Sequence, residues 1–411
     1  MHQIASSATI LTMLETESLP LQRPVDAAAL VTLMAQAARQ CTQVQIQGSG
    51  SLPLSQADPT RPTQTISTLR LNQVIEHATS DMTVIVQAGI TLDALQTQLG
   101  WHNQWLPVDP PGRRGQAGMT RTLGGLIATN ALGPLRHSYG DWRNFILGMR
   151  FVDGTGTLIR GGGRTVKNVA GYNTPRLMIG AAGTLGAIAE VTLRTYSRPA
   201  DEQALVITAP NSDAAEALLA QILAAPLEPA YVELISPQTW QANPQADGQA
   251  GWAVVVGFMH TPELCASQIA SIQQWPLCAA WPKRHLNAAQ AGRLRLSLTN
   301  EPAAPLAFRL QRQSSQLSST MVELEARAAQ FATPIWMVAE VAGTLRVAIP
   351  RASSAQCQAW LDELFAHYAD RVIITEADPK LGWTNRLQAE SDLYQRLKTA
   401  LDPHGILGHF R

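Results

Sequence analysis

Seventeen of the 29 glycines in this 411-residue chain fall within residues 112–186. Glycine serves where the backbone turns through positive φ or must lie directly against another group. Such a density in one segment points to a cleft lined by main chain rather than to a plain structural domain.

The segments around it read as alternating helix and strand. Pro24 can open a helix at its first turn, and Leu30, Leu33, Met34 and Ala37 continue it to about Gln40. Val44–Gln47 is a short strand running straight into Gly48-Ser49-Gly50-Ser51. Thr65–Leu71 and Thr83–Ala88 have strand patterns, and Thr91 caps a helix to Leu99. Ala187–Tyr196 alternates cleanly, with Ala189, Val191 and Leu193 on one face. Beyond residue 200 glycine thins out. Strands are expected at Leu205–Thr208, Tyr231–Ile235, Trp252–Phe258, Ile335–Val341 and Val372–Thr375. Helices are expected at Ala214–Leu223, Pro262–Gln273, Met321–Gln330, Ser354–Tyr368 and Glu390–Leu401. This is the pattern of a second, α+β domain that could consist of two similar halves. Gln-rich stretches near 241–250 and 311–320 read as surface loops.

Composition removes several classes of function. The 31 basic and 31 acidic side chains leave no net charge, so the basic footprint of a nucleic-acid binder is missing. No apolar run reaches the ~18 residues of a spanning helix. Met1–Leu19, without Lys or Arg, lacks the parts of a secretory signal. Cys41, Cys265, Cys278 and Cys357 lie far apart and read as reduced thiols, not as a disulfide framework or cluster ligands. A cytoplasmic protein without a metal site is expected.

The candidate chemistry lies in four glycine-bearing segments. Gly48-Ser49-Gly50 is either a tight turn or a cradle offering backbone N–H groups to a phosphate. It is not a Rossmann fingerprint, because Pro53 stands at the third glycine position, and Gly161-Gly162-Gly163-Arg164-Thr165 lacks a Walker ending. Trp105-Leu106-Pro107-Val108-Asp109-Pro110-Pro111 is stiffened by three prolines. Thr120 to Asn130 carries Gly124-Gly125 and small residues suited to close packing on a planar or anionic ligand. Lys167-Asn168-Val169-Ala170-Gly171-Tyr172 groups a cation, an amide and a phenol. Gly180-Ala181-Ala182-Gly183-Thr184-Leu185-Gly186 turns into the strand after it.

The ordered set Ile46–Ser51, Leu123–Ala128, Val166–Tyr172 and Gly183–Gly186 resembles the PCMH-type FAD-binding domain of the vanillyl-alcohol oxidase superfamily. Within it the set looks most like the FAD-binding subunits of bacterial glycolate oxidases. The resemblance implies an α+β protein with a two-subdomain FAD-binding domain at 1–200, an α+β cap at 201–385 and a tail at 386–411 returning to the first domain. It implies that Gln47, Gly48, Ser49, Gly50 and Ser51 take the FAD pyrophosphate. Pro107, Asp109, Pro110, Thr120, Thr122, Gly124, Gly125, Ala128, Thr129 and Asn130 would line the flavin and dinucleotide. Tyr139, Gly140, Gly183, Thr184, Gly186 and Ile188 would close the other side, and Lys167 or Arg121 could stabilise reduced flavin.

Three departures from the family pattern matter. Gln47–Ser51 contains no His or Cys, so the FAD is expected to be non-covalent. Ala339-Glu340-Val341-Ala342-Gly343-Thr344-Leu345 has no histidine where catalytic relatives carry a His-rich cluster, and the catalytic residues stay unassigned. Leu407-Gly408-His409 replaces the usual Asn-Pro-Gly of the tail. His260, His285 and His367, with Arg293, Arg295, Arg309 and Arg312, are scattered bases and cations that form no motif and read as surface or packing residues. The implied function is the FAD-binding subunit of a complex oxidising glycolate to glyoxylate. A sister FAD-containing subunit would carry out the oxidation and an iron–sulfur subunit would take the electrons, with membrane contact only through partners. An independent 2-hydroxy-acid dehydrogenase and a non-catalytic assembly subunit are the alternatives.

Overall fold

Two sheets build the first half of the molecule. β1 (Leu19–Gln22), β2 (Gln43–Gln47) and, past the short β3 (Ser55–Gln56), β4 (Thr63–Ser67) give a parallel sheet in the order β1-β4-β2. Next come β5 (Val74–Ala78), β6 (Thr83–Gln87), β7 (Gln104–Trp105), β8 (Ile146–Val152), β9 (Leu158–Gly162) and β10 (Ala187–Arg194). All but β7 join an antiparallel sheet ordered β5-β6-β10-β8-β9, while β7 pairs with β11 (Tyr196–Ser197). The computed structural model describes residues 19–50, 55–56, 61–112, 120–163, 174–246, 248–368, 371–377 and 392–410.

Local signals explain where the helices begin. Asp26 accepts the Ala29 N–H at 2.7 Å, so the first helix is Ala27–Gln40 and starts later than Pro24 suggests. Its buried stripe of Leu30, Met34 and Ala37 packs between the two sheets against Val44, Ile66, Val152 and Ala189. Thr91 caps Leu92–Gly100, and Thr122 caps Leu123–Ala128. These two helices cover the other face of the five-stranded sheet with Leu95, Leu126 and Ile127 on Val84, Val86 and Val191. The strand expected to reach Leu71 ends at Ser67, where a 3-10 turn, Thr68–Arg70, takes over.

The second half is one antiparallel sheet of eight strands. β12 (Gln203–Ala209), β13 (Tyr231–Ile235), β14 (Trp252–Phe258), β15 (Lys283–Leu286), β16 (Leu306–Gln311), β17 (Trp336–Glu340), β18 (Thr344–Ile349) and β19 (Val372–Ala377) lie in the order β15-β12-β14-β13-β17-β18-β16-β19. It consists of two βαββαβ units. The first uses helices Ser212–Ala224 and Pro262–Gln273, the second Leu317–Gln330 and Ser354–Tyr368. They meet along a seam where β13 pairs with β17 through Glu233↔Glu340, Leu234↔Ala339 and Ile235↔Val338. All four helices pack on one face, over Leu205, Val254, Phe308 and Val347. Cys265, Cys278 and Cys357 are buried thiols of that core.

On the opposite face, helix Ala288–Thr299 covers the first unit with Leu294 and Leu298 on Val206, Val255 and Ile235. The chain then returns. Helix Asp392–Leu401 leads to β20 (His409–Phe410), which pairs antiparallel with β3, and Leu407 bridges to Val44. Among the described residues no helix is long and apolar enough to cross a membrane.

Candidate functional site

Three glycine-bearing segments converge at the C-terminal end of β2. Ser67 Oγ donates to Gly48 O at 3.2 Å and Thr68 Oγ1 to Gln47 O at 3.4 Å, which fixes the loop leaving the strand. A Cβ on Gly48 would stand 1.9 Å from Thr122 Oγ1, so only glycine lets this loop lie against the start of helix Leu123–Ala128. Gly124 also packs closely, since a Cβ there would stand 2.9 Å from the Ala88 Cβ. The Gly180–Gly186 turn is sewn to the same helix by Gly180 N–H to Ile127 O at 3.0 Å and Ala182 N–H to Ala128 O at 2.8 Å. Gly50 and Gly183 have φ of 75° and 77°, yet among the described residues a Cβ on either would meet nothing nearer than 3.7 Å. Main chain on two sides is thus left uncrowded by the described residues, which suits a dinucleotide. No His or Cys occurs in Gln47–Gly50 to tether it.

A second layer runs from the proline segment to the cap. Pro107, Asp109 and Pro110 are all buried. Asp109 Oδ1 accepts the Leu135 N–H at 3.3 Å, and Asp109 Oδ2 accepts Arg295 Nη1 at 3.0 Å. Burial pushes the Asp109 carboxyl up to about 6, against the pull of Arg295. Asp109 thus turns its carboxylate to the cap, and what it can offer a flavin is main chain. The turn Arg136–Tyr139 follows Leu135. Tyr139 stacks edge-on with Trp105 and Tyr196, and Gly140 has φ 85°. Arg136 Nη1 crosses to Thr344 Oγ1 on β18 at 3.0 Å. Next to it His137 is half-buried and bonded to no described side chain, and burial lowers its imidazole below the usual range.

The sheet face opposite that turn is charged. Arg346 is fully buried; its Nη2 donates to Leu298 O at 2.8 Å and its Nε lies 3.1 Å from Glu340 Oε1. Glu233, also fully buried, sits 3.6 Å away across the seam, and among the described residues neither of its oxygens accepts a hydrogen bond. Burial pushes Glu233 up to about 8 despite Arg346, with Glu340 and Asp109 adding to the rise. Burial likewise raises Glu340, opposed by Arg346, Arg309 and Arg136.

Among the remaining expected residues, Thr129 and Thr184 hold the scaffold with their side chains. Thr129 Oγ1 donates to Gly125 O and accepts from Arg121 Nη2. Thr184 Oγ1 donates to Ala181 O at 2.7 Å, and Ile188 is buried in the core. Ser49 is half-buried, and Thr120 and Asn130 are exposed. Ser51, Lys167 and Asn168 lie outside the described residues. Arg295 and Arg309 are not surface residues. Arg295 is buried and ion-paired, and Arg309 is half-buried, paired in register with Arg346. His260, His285 and His367 stand away from the cradle on Glu228, Gln203 and Glu363. Glu233, Arg346 and the Arg295–Asp109 pair went unread, since isolated charges in apolar runs carry no motif.

A family model described as an FAD binding domain matches residues 21–162. The chain is 34% identical over 173 residues to glycolate oxidase subunit GlcE of Escherichia coli, covering 42% of this chain and 47% of that protein. It is 32% identical over 193 residues to glycolate oxidase subunit GlcD of Bacillus subtilis, covering 47% and 40%. It is 29% identical over 215 residues to D-lactate dehydrogenase of Archaeoglobus fulgidus, covering 52% and 46%. The chain thus spans less than half the length of each of these relatives. In structure it is similar to alkyldihydroxyacetonephosphate synthase, with a TM-score of 0.68 at 18% identity, over 94% of this chain and 75% of that one. The chain therefore has the α+β, two-subdomain PCMH-type FAD-binding fold, binds FAD without a covalent tether, and carries an oxidoreductase domain related to FAD-linked 2-hydroxy-acid dehydrogenases and glycolate oxidase subunits.

Proposed function

We propose that the chain oxidises a small 2-hydroxy acid to the 2-oxo acid with FAD as the electron acceptor. The observation that carries this reading is that one turn, tied to the proline segment through Leu135 and Asp109, carries both the Arg136 guanidinium and the His137 imidazole, which burial holds below its usual range. Such an oxidation needs a cation for the carboxylate and a base for the hydroxyl proton. Bound FAD supplies the acceptor for the hydride leaving C2. Arg136, already stretched to Thr344, holds the substrate carboxylate at the boundary between the two halves of the molecule. His137 takes the hydroxyl proton on its ring nitrogen, so the products are the 2-oxo acid, imidazolium and reduced cofactor.

A second reading draws on the similarity to the Escherichia coli glycolate oxidase subunit. Here the substrate is glycolate, the product glyoxylate, and the chain works in the cytoplasm. A sister FAD-containing subunit and an iron–sulfur subunit complete that complex, which meets the membrane only through partners. Anaerobic addition of glycolate, D-lactate or D-2-hydroxyglutarate to the purified holoprotein separates the two. Bleaching of the flavin band near about 450 nm by the chain alone supports the independent enzyme. A band that bleaches only when partner subunits are added supports the complex, and a chain that retains no flavin sinks both. In the active form, His137→Ala is expected to slow flavin reduction by about 10²–10⁴-fold while FAD stays bound.

A further inference from the structure

We infer that Arg295 is a positioning residue of the flavin site: a guanidinium on the cap that locks, through Asp109, both segments expected to flank the flavin ring. The inference rests on the FAD-dependent reading above together with the flavin placement that the sequence resemblance implies, beside Pro107–Pro110 and Tyr139–Gly140.

Arg295 sits on helix Ala288–Thr299, whose register is set by a capping box in which Asn287 and Gln290 exchange side-chain and backbone bonds. All three of its nitrogens are engaged. Nη1 holds Asp109 Oδ2 at 3.0 Å, while Nε and Nη2 grip Glu202 Oε1 and Oε2 at 2.9 and 3.1 Å. Tyr231 lies beneath the guanidinium at 5.9 Å and donates its hydroxyl to Glu202 at 3.1 Å. One side chain thus joins the cap helix, the strand entering the cap and the proline segment.

Asp109 extends the hold into the nucleotide-binding half. Its free oxygen accepts the Leu135 N–H that opens the Arg136–Tyr139 turn. Gly133 lies so close that a Cβ there would stand 2.0 Å from Asp109 O and 2.6 Å from Oδ1. The proline segment and the turn therefore move as one piece, and the cap decides where that piece sits. Stability alone is a weak reason for such a pair. Apolar replacements of buried ion pairs are often neutral or stabilising, whereas a forked guanidinium fixes geometry.

The groups facing Asp109 are Arg295, Glu340, Glu233 and Arg346 from the cap and the Leu135 N–H from its own half. Glu233 keeps its proton to about 8, so it stays neutral through the range in which Asp109 titrates. Protonating Asp109 weakens its bond to Arg295 and frees the proline segment. The oxidised flavin should report this, because the segment is its wall.

The test uses the full-length holoprotein and follows the visible absorption and fluorescence of oxidised FAD from pH 5 to 8. The wild type is expected to show a change in band shape with a midpoint near 6. Asp109→Asn should abolish the transition, and Arg295→Met should raise its midpoint, because only the Leu135 N–H then offsets burial of the carboxylate. Arg295→Lys restores the charge without the fork and should fall between. The double variant Asp109→Asn/Arg295→Met removes both charges of the Asp109–Arg295 pair and leaves Glu202 partly exposed with the Tyr231 hydroxyl, so it should fold, hold FAD and give a flat profile. FAD bound with a flat wild-type spectrum, or the same transition in every variant, overturns the inference alone. A wild type that retains no FAD overturns the flavin placement and the inference with it.

Discussion

Glu233 is a carboxyl group in the middle of a strand, fully buried, with no hydrogen bond to either oxygen among the described residues and one guanidinium shared with Glu340. Two carboxylates facing one cation in a dry site cannot both stay ionised at little cost. The proton settles on Glu233, whose folded pKa of about 8 lies well above its ordinary 4.5. The native state therefore binds that proton more tightly than the unfolded chain does. The resulting stability is fully present below about 4.5 and is lost as pH rises through about 8. Glu233→Gln, which mimics the neutral acid, should remove this alkaline decline, on the order of a few kcal/mol. Thermal unfolding of both proteins at pH 6 and pH 9 checks it: equal losses in the two would show that the proton lies elsewhere.

Among the elements, the C-terminal helix is pinned from beneath by a buried ammonium group. Lys398 Nζ, buried beneath the helix, donates to Thr184 O, Asp402 Oδ2 and Leu407 O at 2.8 Å each and to Gly408 O at 3.1 Å. Asp402 in turn accepts the N–H groups of Ile406 and Leu407 at 2.9 Å. Lys398→Met should cost about 3 kcal/mol or more, because Asp402 is left buried without its cation. Chemical denaturation should show the loss, together with faster proteolysis of the C-terminal segment. This knot was not legible in the sequence, where Lys398 is one charge on an amphipathic helix. Neither was helix Ala288–Thr299, since Arg293-Leu294-Arg295-Leu296-Ser297-Leu298 alternates like a strand and only the capping box overrides that pattern. β16 and β18 were missed for the converse reason: Arg309 and Arg346 interrupt apolar runs at positions that face the interior. What could be read was whatever local rules decide alone. β13, β14 and helix Pro262–Gln273 match their expected bounds, and the glycine cradle follows from backbone constraints that no side chain can meet. The Arg295–Asp109 pair joins positions 186 apart, and a single chain read in order gives no sign that they meet.

At the scale of the whole molecule, the nucleotide-binding half is built from two stretches with the eight-stranded cap between them. Val44 N–H bonds to Ile406 O, Arg61 to Gly405 O at 2.6 Å, and β20 lies on β3. Removing residues 392–411 should leave the cap sheet intact by circular dichroism yet abolish flavin retention, seen as loss of the visible band after gel filtration. A truncated chain that keeps its flavin would show that the returning stretch only decorates the surface. The same arrangement bears on biosynthesis. A ribosome delivers the cradle first, the cap next and the closing strand last, so the earliest stretch must wait through the making of everything between. Contacts of such long sequence separation form slowly. Cofactor loading therefore waits for the returning stretch, and the supply of free FAD once that stretch has docked sets how much of the newly made protein becomes holoenzyme.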